Sequence, residues 1–156
     1  LVGADRAECS LVEARLIDAD LTDASLTRAV LSEADVTKLR HADLRQADLV
    51  DASLIDSDLS ESNLKLADLH EADLRGANLR GANLAGADLT AANLTGVAMS
   101  RALVDSADWL QRMQDLSKPP VGIEQLVAEY VVESDQSESG DAQFVIRRRH
   151  PRAQNP

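Results

Sequence analysis

Histidine, serine and carboxylate side chains are the residues of this chain that could catalyse a reaction or bind a metal ion. The three histidines are His41, His70 and His150, and their surroundings imply no enclosing pocket in which a Ser-His-Asp triad could converge. His70 has Asp68 and Glu71 nearby, but a zinc site needs a spaced cluster of cysteine and histidine ligands. We therefore predict a surface histidine at position 70, no catalytic residue and no metal site.

The single cysteine and the glycines also favour structural roles. Cys9 stands two residues before Leu11 in a small, inward position, which is typical of a buried thiol. No glycine-rich segment leads from a strand into a helix, as a phosphate-binding loop would. The sequence thus predicts no cofactor and no enzyme activity.

The elements that position these side chains follow from a period of five. In LRGANLRGANLAGADLTAANL, residues 74–94, a leucine recurs at every fifth position with a small residue two before it. A step of five turns a helix by about 140° and scatters the leucines around it. On a straight strand an odd step sends them to opposite faces. A chain that bends the same way every five residues keeps them all inside, and its extended sides stack as a solenoid.

The pattern resembles the pentapeptide-repeat family, whose motif is A(D/N)LXX and whose fold is a right-handed, four-sided parallel β-helix. The resemblance implies an all-β solenoid of this quadrilateral form, and the segment after it predicts a small C-terminal α/β cap. The chain looks similar to the Ala- and Leu-rich members common in cyanobacteria, most of which have no assigned biochemical role. The predicted core consists of the central leucines, namely Leu16, Leu21, Leu26, Leu31, Leu44, Leu49, Leu54, Leu59, Leu64, Leu69, Leu74, Leu79, Leu84, Leu89 and Leu94.

The repeat register changes once. Eight residues lead from Val36 to Leu44, where one repeat would take five. We predict that three extra residues leave the wall as a bulge or short loop within 37–43. Lys38, Arg40 and His41 make this segment basic, and it is either a contact point for a partner or a tolerated surface insertion.

Residues 1–109 are predicted to form the repeat domain and residues 110–156 the cap. Asp105 is a candidate N-cap for a helix that presents apolar residues at helical spacing. A second short helix and a strand follow from Ile123 to Val132, and AQFVIRR has the composition of a strand that pairs back as a hairpin. The ending RHPRAQNP is predicted to be a disordered basic tail. The cap residues are Trp109, Leu110, Met113 and Leu116.

The charge of −11 lies mostly in the repeat domain, where residues 1–109 carry a net charge of −10. If residues twenty apart stack, Asp48, Asp68, Asp88 and Asp108 form a ladder beside Asp51 and Glu71. We take Asp48, Asp51, Asp68, Glu71 and Asp88 as a candidate interaction wall.

Two interpretations of this acidity stand side by side. The charge keeps a rod soluble and apart from its copies. Alternatively, the resemblance extends to family members that protect DNA gyrase from quinolones, whose negative rod is thought to mimic duplex DNA. Here the core column is almost purely leucine and lacks the phenylalanine of those members, and no C-terminal dimerisation helix is evident.

The predicted function is a non-enzymatic structural or protein–protein interaction module, with a topoisomerase such as gyrase as the alternative partner. The basic run from Arg147 to Arg149, with Arg152, is short and lacks interleaved aromatics, so direct nucleic-acid binding is not expected. No stretch is long and apolar enough to span a membrane, so no membrane partner is expected either. A single cysteine is compatible with the reducing cytoplasm, which is the predicted location. The chain begins at Leu1, so a trimmed and exported form stays open.

Overall fold

Short extended segments that pair in parallel every twenty residues build most of the molecule. The computed structural model describes residues 9–12, 15–22, 24–25, 35–136 and 142–149. Asp48 forms a parallel bridge with Asp68, and Asp68 forms one with Asp88. Four pentapeptides therefore make one coil, and successive coils stack through backbone hydrogen bonds.

Each repeat buries two side chains, the central leucine and the small residue two positions before it. In residues 47–51, Leu49 is 0% and Ala47 is 1% exposed. Residues two apart on extended chain share a face, so both point into the coil. Two predicted core leucines, Leu26 and Leu31, and the side chain of Leu16 lie outside the described residues. The others are all completely buried: Leu21, Leu44, Leu49, Leu54, Leu59, Leu64, Leu69, Leu74, Leu79, Leu84, Leu89 and Leu94.

A tight turn closes every repeat. The N–H of Ala47 donates to the carbonyl of Leu44 at 3.1 Å, and Gln46 between them has a φ of 58°. A positive φ at the third residue is typical of a type II turn, which usually takes glycine there. Among the residues that the structure describes, nine non-glycine residues of the coils adopt this conformation, namely His41, Gln46, Asp51, Asp56, Glu61, Leu66, Glu71, Ala91 and Arg101.

The prediction of a bulge at residues 37–43 is wrong. Leu39 is completely buried, and its N–H donates to the carbonyl of Asp58 at 2.9 Å, as in the regular repeats. The regular register therefore begins at Leu39, only three residues after the buried Val36. One coil has lost two residues instead of gaining three. Leu39 was not recognised as a central residue because Lys38 precedes it where the motif has Asp or Asn.

Two strands absorb this shortening. Strand β1, Arg15–Asp20, pairs in parallel with strand β2, Asp35–Lys38. Their register shifts between Leu16 and Asp20, so four residues of β1 lie beside two residues of β2. Beyond the shift Ser25 bridges Asp43, eighteen residues later. The offset between paired residues thus falls from twenty to eighteen.

Two buried serines differ in whether their hydroxyl groups have a hydrogen-bond partner inside the coil. Ser57 and Ser62 are each 1% exposed in the small inward position. The hydroxyl of Ser62 donates to the carbonyl of Leu59 at 2.7 Å, whereas the hydroxyl of Ser57 has no partner in the described part of the chain. We expect Ser57→Ala to raise the free energy of unfolding by about 1 kcal/mol and Ser62→Ala to lower it by a similar amount. Urea unfolding followed by circular dichroism measures both, and equal effects of the two variants would contradict the assignment.

The cap begins where the leucine column ends. Helix α1, Trp109–Gln114, buries Trp109, Leu110 and Met113. Its N-cap residue is Asp108, so the prediction of Asp105 is wrong. Asp105 instead pairs with Arg112, because the helix starts later than its polar lead-in suggests. The fourth predicted cap residue, Leu116, is partly buried against the core.

After α1 the chain returns to the top coil before it leaves again. Val121 bridges Asn93 in parallel and stands where residue 113 would lie in an uninterrupted solenoid. Helix α2, Ile123–Glu129, then buries Ile123 and Leu126. In the part of the chain that the structure describes, no helix is long and apolar enough to cross a membrane.

Gly122 joins this returning segment to α2 under close constraint. Its φ is 85°, and a Cβ there would lie 2.9 Å from the backbone nitrogen of Thr95. Gly96 has a φ of 73°, but a Cβ there would meet nothing closer than 3.8 Å. We expect Gly96→Ala to cost about 1 kcal/mol and Gly122→Ala clearly more, since only the latter must also displace backbone. Paired urea unfolding curves test this, and equal losses would contradict it.

A three-stranded sheet joins the cap to the top coil. Strand β3, Leu103–Val104, belongs to the top coil, and strands β4, Tyr130–Gln136, and β5, Ala142–Arg148, form an antiparallel hairpin. Strand β5 also pairs antiparallel with β3, so the sheet order is β3-β5-β4. The hairpin therefore covers one open backbone edge of the solenoid, which would otherwise invite pairing with another chain.

The strand predicted for AQFVIRR is confirmed as β5, which contains Arg147 and Arg148. Arg147 pairs with Glu133 at 3.0 Å and with Asp135 at 2.8 Å. The predicted tail begins at Arg149, which instead donates to the carbonyl of Tyr130 at 2.9 Å. Residues 150–156, including Arg152, lie outside the described residues. The bond of Arg149 joins residues far apart in sequence, so the local composition did not reveal it.

Candidate interaction surfaces

The aspartates of the acidic wall are tied to their own backbone. Asp48 accepts a hydrogen bond from the N–H of Val50 at 3.1 Å, and Asp68 accepts one from the N–H of His70 at 3.0 Å. Asp88 accepts the equivalent bond at 2.9 Å. Asparagine fills the same role elsewhere, since Asn83 accepts from the N–H of Ala85 at 3.1 Å. The Asp or Asn before each leucine thus satisfies a backbone donor in the turn, and its carboxylate is held in place.

The outer edge of the acidic wall is formed by the corner residues. Asp51 and Glu71 are exposed and have φ values of 57° and 58°. A carboxylate oxygen of Glu71 lies 3.3 Å from Nε2 of His70 and 3.5 Å from Nζ of Lys118. Lys118 therefore offsets part of the negative charge of this wall.

Asp108 does not continue the ladder. The chain leaves the coil at this point, and Asp108 becomes the N-cap residue of α1, 3.6 Å from Nε of Arg112. Among the described residues the bridged ladder comprises Asp48, Asp68 and Asp88. The prediction that Asp108 continues the twenty-residue ladder is wrong because a helix begins at Trp109.

The histidines lie on different walls. His41 is a corner residue of the pentapeptide before Ala42, and its Nε2 lies 3.2 Å from a carboxylate oxygen of Glu61. His70 lies on the acidic wall next to Glu71, and His150 lies outside the described residues. No group of three or more metal-ligating side chains occurs within the described ranges. Cys9 is a free thiol, partly buried and packed against the core.

A basic column occupies another wall, and the sequence analysis missed it. The pentapeptides centred on Leu39, Leu59, Leu79 and Met99 stack, so Arg40, Ser60, Arg80 and Ser100 follow one another at steps of twenty residues. The side chains of this wall line a groove of about 360 Å³. We call it the arginine groove, lined by Arg40, Ser60, Glu61, Arg80, Ser100 and Arg101, with Asp58 and Asn78 at its base. The expected stacking of residues twenty apart, applied to Arg40, would have revealed it.

Hydrogen bonding within the walls lowers the pKa of Asp88 and of Asp58. The hydroxyl of Thr90, followed by its N–H, holds the pKa of Asp88 below its usual value. Burial raises the pKa of Asp58, but hydrogen bonds from Ser60 and Asn78 outweigh burial, and the pKa is lowered overall. The folded protein therefore favours the ionised form of both side chains.

These shifts predict a loss of stability in acid. A carboxyl group with a lowered folded-state pKa stabilises the protein above its unfolded pKa of about 3.9, and this contribution is lost as the pH falls through the folded-state value. We expect the free energy of unfolding in urea to fall between pH 5 and pH 3, as these carboxylates protonate. Asp88→Asn keeps the acceptor oxygen without the charge and should show a shallower decline. A decline as steep as that of the wild type would contradict the role of Asp88.

Most of the solenoid matches a known sequence family. Residues 9–38, 37–65 and 67–103 match the model of the family described as pentapeptide repeats, in eight copies. No curated protein matches the chain.

Three solved structures are similar to this chain. A pentapeptide repeat protein from Nostoc PCC 7120 is 37% identical over 64% of this chain and 84% of its own, with a TM-score of 0.46. Rfr23 from the cyanobacterium Cyanothece 51142 is 34% identical over 62% of this chain and 60% of its own, with a TM-score of 0.38. A pentapeptide repeat protein from the thylakoid lumen of Arabidopsis thaliana is 21% identical over 91% of this chain and 82% of its own, with a TM-score of 0.35. The chain spans 60% of the length of the Cyanothece protein.

The family match and the local geometry agree residue by residue. The match covers more than half of the chain, and it covers the coils in which a central leucine and a small residue point inward. The turn and the Asp or Asn bonded to it account for the remaining positions of the repeat. This chain belongs to the pentapeptide-repeat family.

Proposed function

We propose that this protein is a non-enzymatic interaction module, built on a right-handed quadrilateral β-helix, that binds a partner protein through its acidic wall. Residues 1–109 form the rod in this proposal, and residues 110–156 close its end. The observation that supports it is the fixed placement of Asp48, Asp68 and Asp88. Each carboxylate accepts a hydrogen bond from a backbone N–H two residues later, and each aspartate lies one coil after the previous one.

Fixed carboxylates favour binding for an entropic reason. Coils stack at about 4.8 Å, so the three aspartates present negative charge at a regular spacing along a rigid wall. A group already held in its bound position loses little conformational freedom on association. The chemistry of this array fits a basic surface on a partner protein, and its charge would raise the rate of encounter.

The test is affinity capture from an extract of the source cell with the full chain. The variant Asp48→Asn, Asp68→Asn, Asp88→Asn removes three charges but keeps the acceptor oxygens, in the way that Asn63, Asn83 and Asn93 already provide them. The matched control, Asp56→Asn, Asp115→Asn, Glu124→Gln, removes three negative charges elsewhere. A partner held by the wild type and the control but lost by the wall variant supports the proposal. Equal loss with both variants indicates general charge attraction and overturns it, as does retention by the wall variant.

A topoisomerase is the second candidate partner, and the acidic wall is the observation that favours it. Duplex DNA carries one phosphate about every 3.4 Å along each strand, and the wall presents aspartates at a comparable, slightly longer spacing. The test is supercoiling by gyrase, with and without a quinolone, at high molar excess of this protein. An effect that disappears with the wall variant supports a topoisomerase partner. Unchanged supercoiling in all reactions excludes gyrase and leaves the general proposal to the capture experiment.

A further inference from the structure

The arginine groove brings three cations together on a protein of strong negative charge. Arg40, Arg80 and Arg101 are exposed and line the same depression of about 360 Å³. Arg40 and Arg80 stand two coils apart, about 10 Å at the usual strand spacing, and both side chains are long enough to reach the space between. The groove therefore gathers guanidinium groups from three coils.

These guanidinium groups make few contacts with the protein itself, although the positive charge of Arg40 helps to keep the pKa of Asp58 low. Within the part of the chain that the structure describes, Arg40 and Arg101 make no side-chain hydrogen bond or ion pair, and Arg80 contacts only Oδ1 of Asn78, at 3.5 Å. By contrast, Arg75 on another wall binds both carboxylate oxygens of Asp73, at 2.9 Å and 2.7 Å. The donors of the arginine groove are thus available to a ligand.

Two acidic groups also line the groove and offset part of its positive charge. Asp58 accepts hydrogen bonds from the hydroxyl of Ser60 at 2.6 Å and from the amide of Asn78 at 3.1 Å. Glu61 lies 3.2 Å from His41. Three guanidinium groups against two carboxylates leave the groove net positive, and carboxylates farther away are screened over about 8 Å at physiological ionic strength.

We propose that the arginine groove binds a phosphate group. A guanidinium fork matches phosphate oxygens with two parallel hydrogen bonds, and several arginines facing one site are the usual receptor for a dianion. The half-buried Ser100 lines the same groove and adds a neutral hydroxyl donor. The phosphate belongs either to the free ion or to a phosphorylated segment of a partner, and the two sources share this chemistry.

The experiment follows the arginine Nε–H signals of the full chain by NMR during titration. The probes are inorganic phosphate, a short phosphoserine peptide and the same peptide without phosphate. We expect Arg40, Arg80 and Arg101 to shift with both phosphate-bearing probes and not with the unphosphorylated peptide. A phosphopeptide that binds tighter than inorganic phosphate identifies a phosphoprotein as the source, and equal affinity identifies the free ion.

Three variants sharpen this test. Arg80→Gln should weaken phosphate binding about tenfold, the worth of one charge-assisted hydrogen bond. Glu61→Gln removes a negative charge from the groove and should strengthen binding, whereas Arg75→Gln on the other wall should leave it unchanged. Binding that is insensitive to Arg80→Gln, an equal loss with Arg75→Gln, or no shift at tens of millimolar phosphate with either probe would overturn the proposal. Unchanged circular dichroism of each variant excludes unfolding as the cause.

Discussion

Leu64→Ala is expected to lower the free energy of unfolding by about 2–5 kcal/mol, whereas Leu66→Ala, two residues away, should change it by less than about 0.5 kcal/mol. Leu64 is 0% exposed, and Leu66 is 52% exposed. The two leucines lie two residues apart in the same repeat and turn, so the comparison holds residue type and location nearly constant.

The difference arises from packing along the core column. Leu44, Leu64 and Leu84 are twenty residues apart and all completely buried, so truncation at the middle position leaves a cavity between two neighbours held by their own coils. Backbone hydrogen bonds above and below, such as that from Leu64 N–H to the carbonyl of Asn83 at 2.9 Å, limit collapse into this cavity. Urea unfolding followed by circular dichroism measures both variants. Similar losses for Leu64→Ala and Leu66→Ala would show that residue 64 does not lie in a tightly packed column.

The second large effect is expected at the junction of rod and cap. Trp109→Ala should lower the free energy of unfolding by about 3–5 kcal/mol, because Trp109 is 1% exposed and is the largest side chain of the described core. Trp109 is the first residue of α1, and its side chain belongs to the same buried cluster as the leucines of the coils. Its loss therefore leaves a cavity where the helix meets that cluster and loosens the helix.

A leucine at position 109 provides the control. Trp109→Leu keeps an apolar side chain in this cluster and should lose less than half as much stability as Trp109→Ala, since more of the apolar volume is kept. Circular dichroism is the suitable readout, because Trp109 is the only tryptophan and both variants remove its fluorescence. A loss below about 1 kcal/mol for Trp109→Ala would contradict a sealing role for this side chain.

Much of the fold could be predicted from the sequence because the repeat is local. The burial of Leu74, Leu79 and Leu84 and the turn at Gly76 depend on five residues at a time. Each repeat carries its own inward pair, its own turn and its own acceptor for a backbone N–H. The period of five therefore predicted both the coil and the stacking of residues twenty apart.

The register change could not be read in this way, whereas the helices and strands of the cap could. Leu39 is central because its N–H donates to the carbonyl of Asp58 in the next coil, although its own neighbours depart from the motif. The sequence predicted both helices of the cap and the strand AQFVIRR, but only the structure shows that β5 pairs with both β3 and β4. The register of Leu39 and the order of this sheet depend on pairing between distant segments, which no local pattern records.

The same division applies to the candidate surfaces. The acidic ladder of Asp48, Asp68 and Asp88 followed from arithmetic on the sequence, but only the structure placed their carboxylates on backbone N–H groups. The stacking of Arg40 and Arg80 also follows from steps of twenty residues, but only the structure shows that Arg101 lines the same groove. By itself the sequence determined a leucine-filled rod, because its rules act within five residues. The tertiary structure decided which charges share a wall and which remain available to a ligand, because that depends on how whole coils are aligned.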